Sequence, residues 1–356
     1  MRAPAPSLRY TILGKTGLKI TKFVFGSMIT NDPTVIERAY DLGINCFATA
    51  RDYQNGNNER LLGSALKGKR HKIVLMTESI DMMWRPKSER ETTEYALNTL
   101  NASLKELGTD YVDVWFLHHK DSPEAVTDEV LEAVRIGKKQ GKFRHAGITT
   151  HELPKLTDYL ANSGVFEVVI PIYNFTLGEE MHAAVKKVHD AGVGVIAMKV
   201  MAGGLRSKTP NPKMQRPGAI MAALQWALNH PHVDAAVSSV SEIEQLEENV
   251  RAMSEPFTDR ERQLLAAVLE QYGPEYCRMC GRCKGTCAKG LPVSEIMRCG
   301  MYAEGYGQFA LGREGFLRLP SHVREPNCNR CPACTVSCAY GIRVAELVSR
   351  TQQLLG

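Results

Sequence analysis

Cysteine is scarce through most of this 356-residue chain: of its ten, only Cys46 precedes residue 270. A disulfide scaffold would spread its cysteines through a short secreted chain, so that framework is disfavoured. Long apolar runs are also missing; none approaches the ~20 residues that a membrane span requires. The opening residues, MRAPAPSLRY, contain neither a twin-arginine pair nor an apolar signal core, so a cytoplasmic chain is expected. Lys and Arg are scattered without a dense run or interleaved aromatics, and the net charge is only +5. Nucleic acid is therefore a poor partner. No GxGxxG follows the first apolar strand pattern and no GxxxxGK[ST] occurs anywhere, which weakens a doubly wound nucleotide-binding fold.

What is present is a globular composition: 44% apolar and 23% charged residues, enough for a packed core and against global disorder. The length suits one large domain and one small one. After a hairpin pattern at Arg9–Ile20, eight short apolar runs appear, at 22–26, 44–49, 72–77, 112–118, 143–149, 165–170, 194–200 and 233–238. Amphipathic helical patterns alternate with them, at 34–42, 59–66, 89–107, 126–139, 153–161, 179–191, 218–229 and 242–253. Eight strand-then-helix units predict an α/β fold, a (β/α)8 TIM barrel over 8–256. One more helix, 257–272, connects it to a small, mainly helical domain at 273–356, where Cys, Gly and Arg dominate.

That last segment holds two matching CxxCxxCxxxC runs, Cys277/Cys280/Cys283/Cys287 and Cys328/Cys331/Cys334/Cys338. A [4Fe-4S] cube takes four thiolates, and two-residue spacing lets successive cysteines of a tight turn converge on one cube. The fourth cysteine of each run can serve the same cube or the neighbouring one. Structural zinc also uses CxxC pairs, but two runs of four closely spaced thiols fit two [4Fe-4S] clusters better. Each run leads into an apolar helical pattern, Leu291–Met297 and Ile342–Leu347. The segment looks like the helical ferredoxin module of several reductase subunits, and that resemblance implies that each fourth cysteine ligates across. Cys299 belongs to neither run and reads as a buried thiol.

In a (β/α)8 barrel the chemistry sits at the C-terminal strand ends. Polar residues collect there: Arg51, Asp52, Tyr53, Glu78, His118, His119, Lys120, Thr149, Thr150, His151, Tyr173, Asn174, Lys199, Ser238, Ser239 and Ser241. So many titratable groups at one mouth point to a site. Several stretches carry a family resemblance: LGKTGLKITKFVFGS, GINCFATARDY, NERLLGSAL, YVDVWFLHH, FRHAGITTHE, VIAMKVMAGG and SEIEQLEENV. Together, and in order, they resemble an aldo/keto reductase, in the branch whose barrel is followed by a cysteine-rich ferredoxin-like domain.

The resemblance implies carbonyl reduction with a nicotinamide hydride through an Asp-Tyr-Lys-His tetrad. Its tyrosine falls on Tyr53 and its histidine on His118. Its aspartate falls on Ala48 and its lysine on Glu78. The two exchanged residues are the pair that lowers the tyrosine pKa in the family, and a carboxylate beside a phenol disfavours tyrosinate. Glu78 or His118 would then be the acid/base, with Lys199 or Arg51 holding substrate charge. The cofactor contacts implied are Thr149, Tyr173, Asn174, Ser239, Gln245 and Asn249, with Tyr173 stacked on the nicotinamide. Ser239 and Gln245 stand where the family grips the 2′-phosphate with basic residues. A dianionic phosphate there loses its charge-assisted partners, so NADPH preference is unsupported and NADH is permitted.

An iron-sulfur oxidoreductase acting on a small-molecule substrate follows. The alternative is a barrel without hydride transfer that serves as a scaffold for an electron-transfer module. A nicotinamide delivers two electrons together and a cluster carries one, so the expectation is either one-electron exchange with an electron-transfer protein partner or a flavin-like intermediary at the mouth, although no flavin motif is visible. The substrate pocket would be built by the loops after Tyr53, after Ile80 (with Met82, Met83 and Trp84) and around Arg206–Arg216.

Overall fold

The computed structural model describes residues 8–79, 92–202, 217–272, 277–325, 328, 331 and 334–356. The chain divides into two compact units, one of residues 1–200 and 224–257, the other of residues 201–223 and 258–356.

The first unit is a closed parallel barrel. A two-stranded antiparallel hairpin, β1 (Tyr10–Ile12) and β2 (Lys19–Thr21), precedes it. The barrel strands are β3 (Phe23–Gly26), β4 (Cys46–Ala50), β5 (Val74–Ser79), β6 (Val112–Leu117), β7 (Phe143–Thr150), β8 (Val168–Pro171), β9 (Gly194–Ala197) and β10 (Ala235–Ser239). They pair in sequence order, and β10 closes on β3 with Val237 opposite Val24. Every one of the eight apolar runs becomes a strand, because a barrel strand is buried on both faces and reads as a continuous apolar stretch.

The helices between strands have identifiable ends. Asp32 caps Pro33–Asp41 by accepting from Thr34 N at 2.8 Å. Thr92 and Thr127 cap Thr93–Leu107 and Asp128–Lys139 in the same way, which satisfies backbone donors that a helix leaves open. Alternate strand residues fill the barrel with Val24, Cys46, Met76, Val114, Phe116, Ile170 and Ile196, and Leu13 of the hairpin loop belongs to the same cluster. Gly147 on β7 has no side chain because the Phe116 ring of β6 occupies the space a Cβ would need.

In the second unit, helices Val293–Gly300, Phe309–Leu317, Ser321–Arg324 and Val344–Leu355 share a core of Ile296, Phe316, Val323, Val348 and Leu355. A two-residue antiparallel pair, β11 (Cys283–Lys284) and β12 (Ser337–Cys338), joins the two cysteine runs. Among the described residues no helix is long and apolar enough to cross a membrane.

Candidate functional site at the barrel mouth and the cysteine sets

Parallel strands of a closed barrel end at one rim, so residues far apart in sequence are delivered to the same place. Glu78 near the end of β5 approaches His118 after β6, with Oε2 3.4 Å from Nε2. Tyr53 opens a short turn after β4, and its ring stands edge-on to His118 at 6.4 Å. His118 lies 4.2 Å from the His119 ring, and His119 lies 4.6 Å from the His151 ring after β7. Lys199 Nζ, after β9, is 3.0 Å from His151 Nε2. The four residues expected to be catalytic, Tyr53, Glu78, His118 and Lys199, are thus linked into one row. Its connectors, His119 and His151, were legible only as polar residues at strand ends.

Ala48 on β4 belongs to the apolar interior, opposite Met76. A carboxylate there would be costly to bury without a partner. The mouth's carboxylate comes instead from Glu78, which is buried but reaches an imidazole. Arg51 Nη1 is 3.2 Å from Glu59 Oε2, so one edge of its guanidinium is turned to that carboxylate. Glu59 is fully buried, and its Oε1 accepts from Thr77 Oγ1 at 2.6 Å. Burial raises the Glu59 pKa, against the opposing hydrogen bonds of Thr77 and Arg51. Glu59 lies inside the NERLLGSAL stretch, but nothing in that pattern distinguishes a supporting carboxylate from a solvated one.

Several residues expected to touch a nicotinamide are occupied otherwise. Thr149 Oγ1 accepts from His119 N at 3.1 Å. Asn174 is fully buried; its Nδ2 donates to Lys199 O at 3.1 Å, and its Oδ1 accepts from Thr176 N and Oγ1. Tyr173 is also fully buried, packed 5.1 Å from Trp226, with its hydroxyl 2.6 Å from His182 Nδ1 and 2.9 Å from His230 Nε2. Gln245, on the helix Ile243–Ser254, accepts from Ser241 N at 3.3 Å and so ties down the loop after β10. Ser239 ends β10 and Asn249 is buried on that helix. The residues expected after Ile80 and around Arg206–Arg216 lie outside the described residues.

The cysteines are sorted by the antiparallel pair. Cys283 stands opposite Cys338, and Lys284 opposite Ser337. The same register continues to Thr335, whose Oγ1 donates to Thr286 O at 2.7 Å, and one step further brings Cys287 beside Cys334. Two sets of four result. Burial first, then the neighbouring thiols Cys280, Cys283 and Cys338, push the Cys277 thiol up to about 12. Burial also raises Cys328, with Cys334, Cys331 and Cys287 adding to it. The second set lines one hollow with Leu291 and Val348. All ten cysteines are free thiols. Among the described residues no three His, Cys, Asp or Glu side chains close on a point suited to a single metal ion. Cys299 sits in the helical core, apart from both sets, and burial pushes its thiol up to about 11.

A closed parallel barrel with its ionisable groups gathered at the C-terminal strand ends is the architecture of barrel enzymes. The chain belongs to the aldo/keto reductase family, whose model matches residues 31–219 and 213–270, and it is an oxidoreductase. Members of the family typically use NAD(P)H. Among solved structures it is similar to the aldo-keto reductase AKR11C1 from Bacillus halodurans in its holo form, at 28% identity and a TM-score of 0.61, over 74% of this chain and 96% of that one. It is 26% identical to the uncharacterized oxidoreductase YqkF of Bacillus subtilis, over 69% of this chain and 91% of that protein. It is 25% identical to the L-glyceraldehyde 3-phosphate reductase of Escherichia coli K12, over 69% of this chain and 88% of that protein. The family match ends before Cys277.

Proposed function

We propose that this chain is an iron-sulfur oxidoreductase: redox chemistry at the barrel mouth is coupled to electron transfer through two [4Fe-4S] clusters in a ferredoxin-like unit. The observation that carries this is the sorting of eight thiols into two sets of four, Cys277/Cys280/Cys283/Cys338 and Cys287/Cys328/Cys331/Cys334. A single zinc ion holds its thiolates at ~2.3 Å and so draws them onto one point; a cube holds them at its corners, further apart. Backbone amides already point at two of the sulfurs, Met279 N at Cys277 Sγ (3.4 Å) and Tyr340 N at Cys338 Sγ (3.3 Å), as thiolate ligands require for charge stabilisation. When bound, the clusters would supply one-electron steps, which suits exchange with an electron-transfer protein or with a flavin-like intermediary at the mouth.

At the mouth, Glu78 and His118 form the acid/base pair, with Tyr53 beside them. The Glu78 carboxylate lies 3.4 Å from the His118 imidazole, so a proton can pass between them and either can serve as the acid/base. Tyr53, whose usual family partners Asp and Lys are replaced by Ala48 and Glu78, is the weaker donor. A nicotinamide nucleotide at this mouth would meet Ser239, Gln245 and Asn249, none of them cationic, so a preference for NADPH is unsupported and NADH is permitted. The thiol sets and the nucleotide are tested together by iron and sulfide analysis of anaerobically purified protein, followed by NADH and NADPH titration. About eight irons per chain, bleached by NADH, are expected. Fewer than four irons would refute the cluster assignment. Bleaching by dithionite alone, with no nucleotide binding, would refute the nicotinamide half.

A further inference from the structure

We propose that the paired strands β11 and β12, with Cys334 beside them, form the docking surface for an acidic electron-carrier protein. The assignment rests on the reading of the eight thiols as ligands of two [4Fe-4S] clusters. It adds where a partner meets them and what charge that partner carries.

The charge of the chain is unevenly placed. Residues 273–356 hold eleven Lys or Arg against six Glu and no Asp, which accounts for the whole net charge of +5; the first 272 residues hold thirty-three of each sign. Four of the six glutamates are paired with arginines, as Glu346 is with Arg343 at 3.1 Å. The surplus therefore falls on the cysteine-bearing segments: 277–290 and 326–342 together carry five cations and no carboxylate. The field at a surface follows net charge, so this surplus acts whichever groups the individual cations touch. A cube with four thiolates is anionic and offsets part of it from behind, while Lys284 stands in solvent.

Exposure supplies the independent observation. Of the ten cysteines only Cys334 is exposed. On its inner side the set to which Cys334 belongs packs against Leu291, Val293, Val336 and Val348. That set is closed by apolar side chains inward and reaches solvent at Cys334.

The strands beside it leave room for a close approach. Lys284 stands opposite Ser337, and Thr335 Oγ1 donates to Thr286 O at 2.7 Å. Lys284, Thr286, Thr335 and Ser337 are all exposed, and apart from Lys284 their side chains are short. Gly285, at φ 84°, carries none, because a Cβ there would collide with Thr335 O. One-electron transfer falls steeply with distance, so a rim of short side chains serves exchange. One electron moves: the carrier's centre loses it and the cube held by Cys334 gains it, or the reverse, and no proton or covalent bond changes. A carboxylate-rich carrier is steered to this surface by the positive field, and salt screens the attraction.

The test is calorimetric titration of the full-length, anaerobically purified protein with oxidised plant-type ferredoxin, an acidic one-electron carrier, at ~0.01 M and ~0.1 M salt. Wild type is expected to bind it saturably at the lower salt and more weakly at the higher. Lys284→Glu and Ser337→Glu should each weaken binding ~10-fold or more, and Lys284→Arg should keep it. Iron content and melting temperature are expected to match wild type in all three variants. Unaltered binding in both glutamate variants, or binding of basic cytochrome c as tight as that of ferredoxin, overturns the surface. Absence of ferredoxin binding by protein that carries about eight irons also overturns it and leaves the cluster reading standing. Fewer than four irons in wild type refutes that reading, and the surface with it.

Discussion

Replacing Cys338 by alanine tests the pairing of the two cysteine runs directly. In sequence, Cys338 closes the second run; in the fold it stands opposite Cys283 and beside Cys277 and Cys280. Removing one of four thiolates should labilise the cube that Cys277, Cys280 and Cys283 hold and leave the other in place. Iron is expected to fall from about eight to about four per chain. The double variant Cys277→Ala/Cys338→Ala should lose no more iron than either single variant, because both remove ligands of one cluster. The double variant Cys334→Ala/Cys338→Ala should lose nearly all of it. This is the non-additivity expected of groups that act as a unit, set against additivity for separate ones. Iron and acid-labile sulfide assays, with electron paramagnetic resonance of the dithionite-reduced protein, read the result. If Cys334 and Cys338 behave as one unit and Cys277 and Cys338 as two, each run holds its own cluster and the argument from register is refuted.

Further expectations follow from the barrel. Glu78→Gln should move the pH–rate profile by removing the carboxylate 3.4 Å from His118, with a loss in rate of ~100-fold or more; an unchanged profile returns Glu78 to a plain strand-end residue. His230 is held at about 4, by burial first and then by His182, His232 and His189, against 6.5 in the unfolded chain. The unfolded state therefore takes up the proton first, and stability should fall as pH drops from 6.5 towards 4. A fully buried group would lose at most ~3 kcal/mol over that interval, and the half-buried ring is expected to lose ~1–2 kcal/mol. Thermal melts of wild type and His230→Phe check it, the variant showing the flatter dependence. Gly147→Ala should destabilise the barrel by ~1–3 kcal/mol in urea unfolding, because its Cβ would overlap the Phe116 ring; a neutral result would mean that this contact is not tightly packed.

Much of the barrel was legible from periodicity. Apolar runs of four to eight residues separated by amphipathic helices have few solutions once parallel strands must bury both faces. The mouth was legible in composition but not in wiring. Tyr53, Glu78, His118 and Lys199 could be picked out because barrel chemistry sits at strand ends. Glu59 could not, because it acts by being buried beneath the rim, and burial of one carboxylate in a helical pattern has no sequence signature. Tyr173, Thr149 and Asn174 were expected to face a cofactor. The fold turns Tyr173 between two histidines and uses the other two to hold backbone.

By itself, then, the sequence determined the order of strands and helices, the absence of a long apolar run, and a spacing of eight cysteines that suits clusters. These are local properties, set by side-chain period and by the reach of a two-residue turn. The partners of the fourth cysteines and the continuous row from Glu78 to Lys199 were decided only by the tertiary structure. Both depend on register: an antiparallel pair brings Cys283 to Cys338, and a closed parallel barrel brings the ends of β5, β6, β7 and β9 to one rim. Register joins residues separated by dozens of positions, and no local pattern records it.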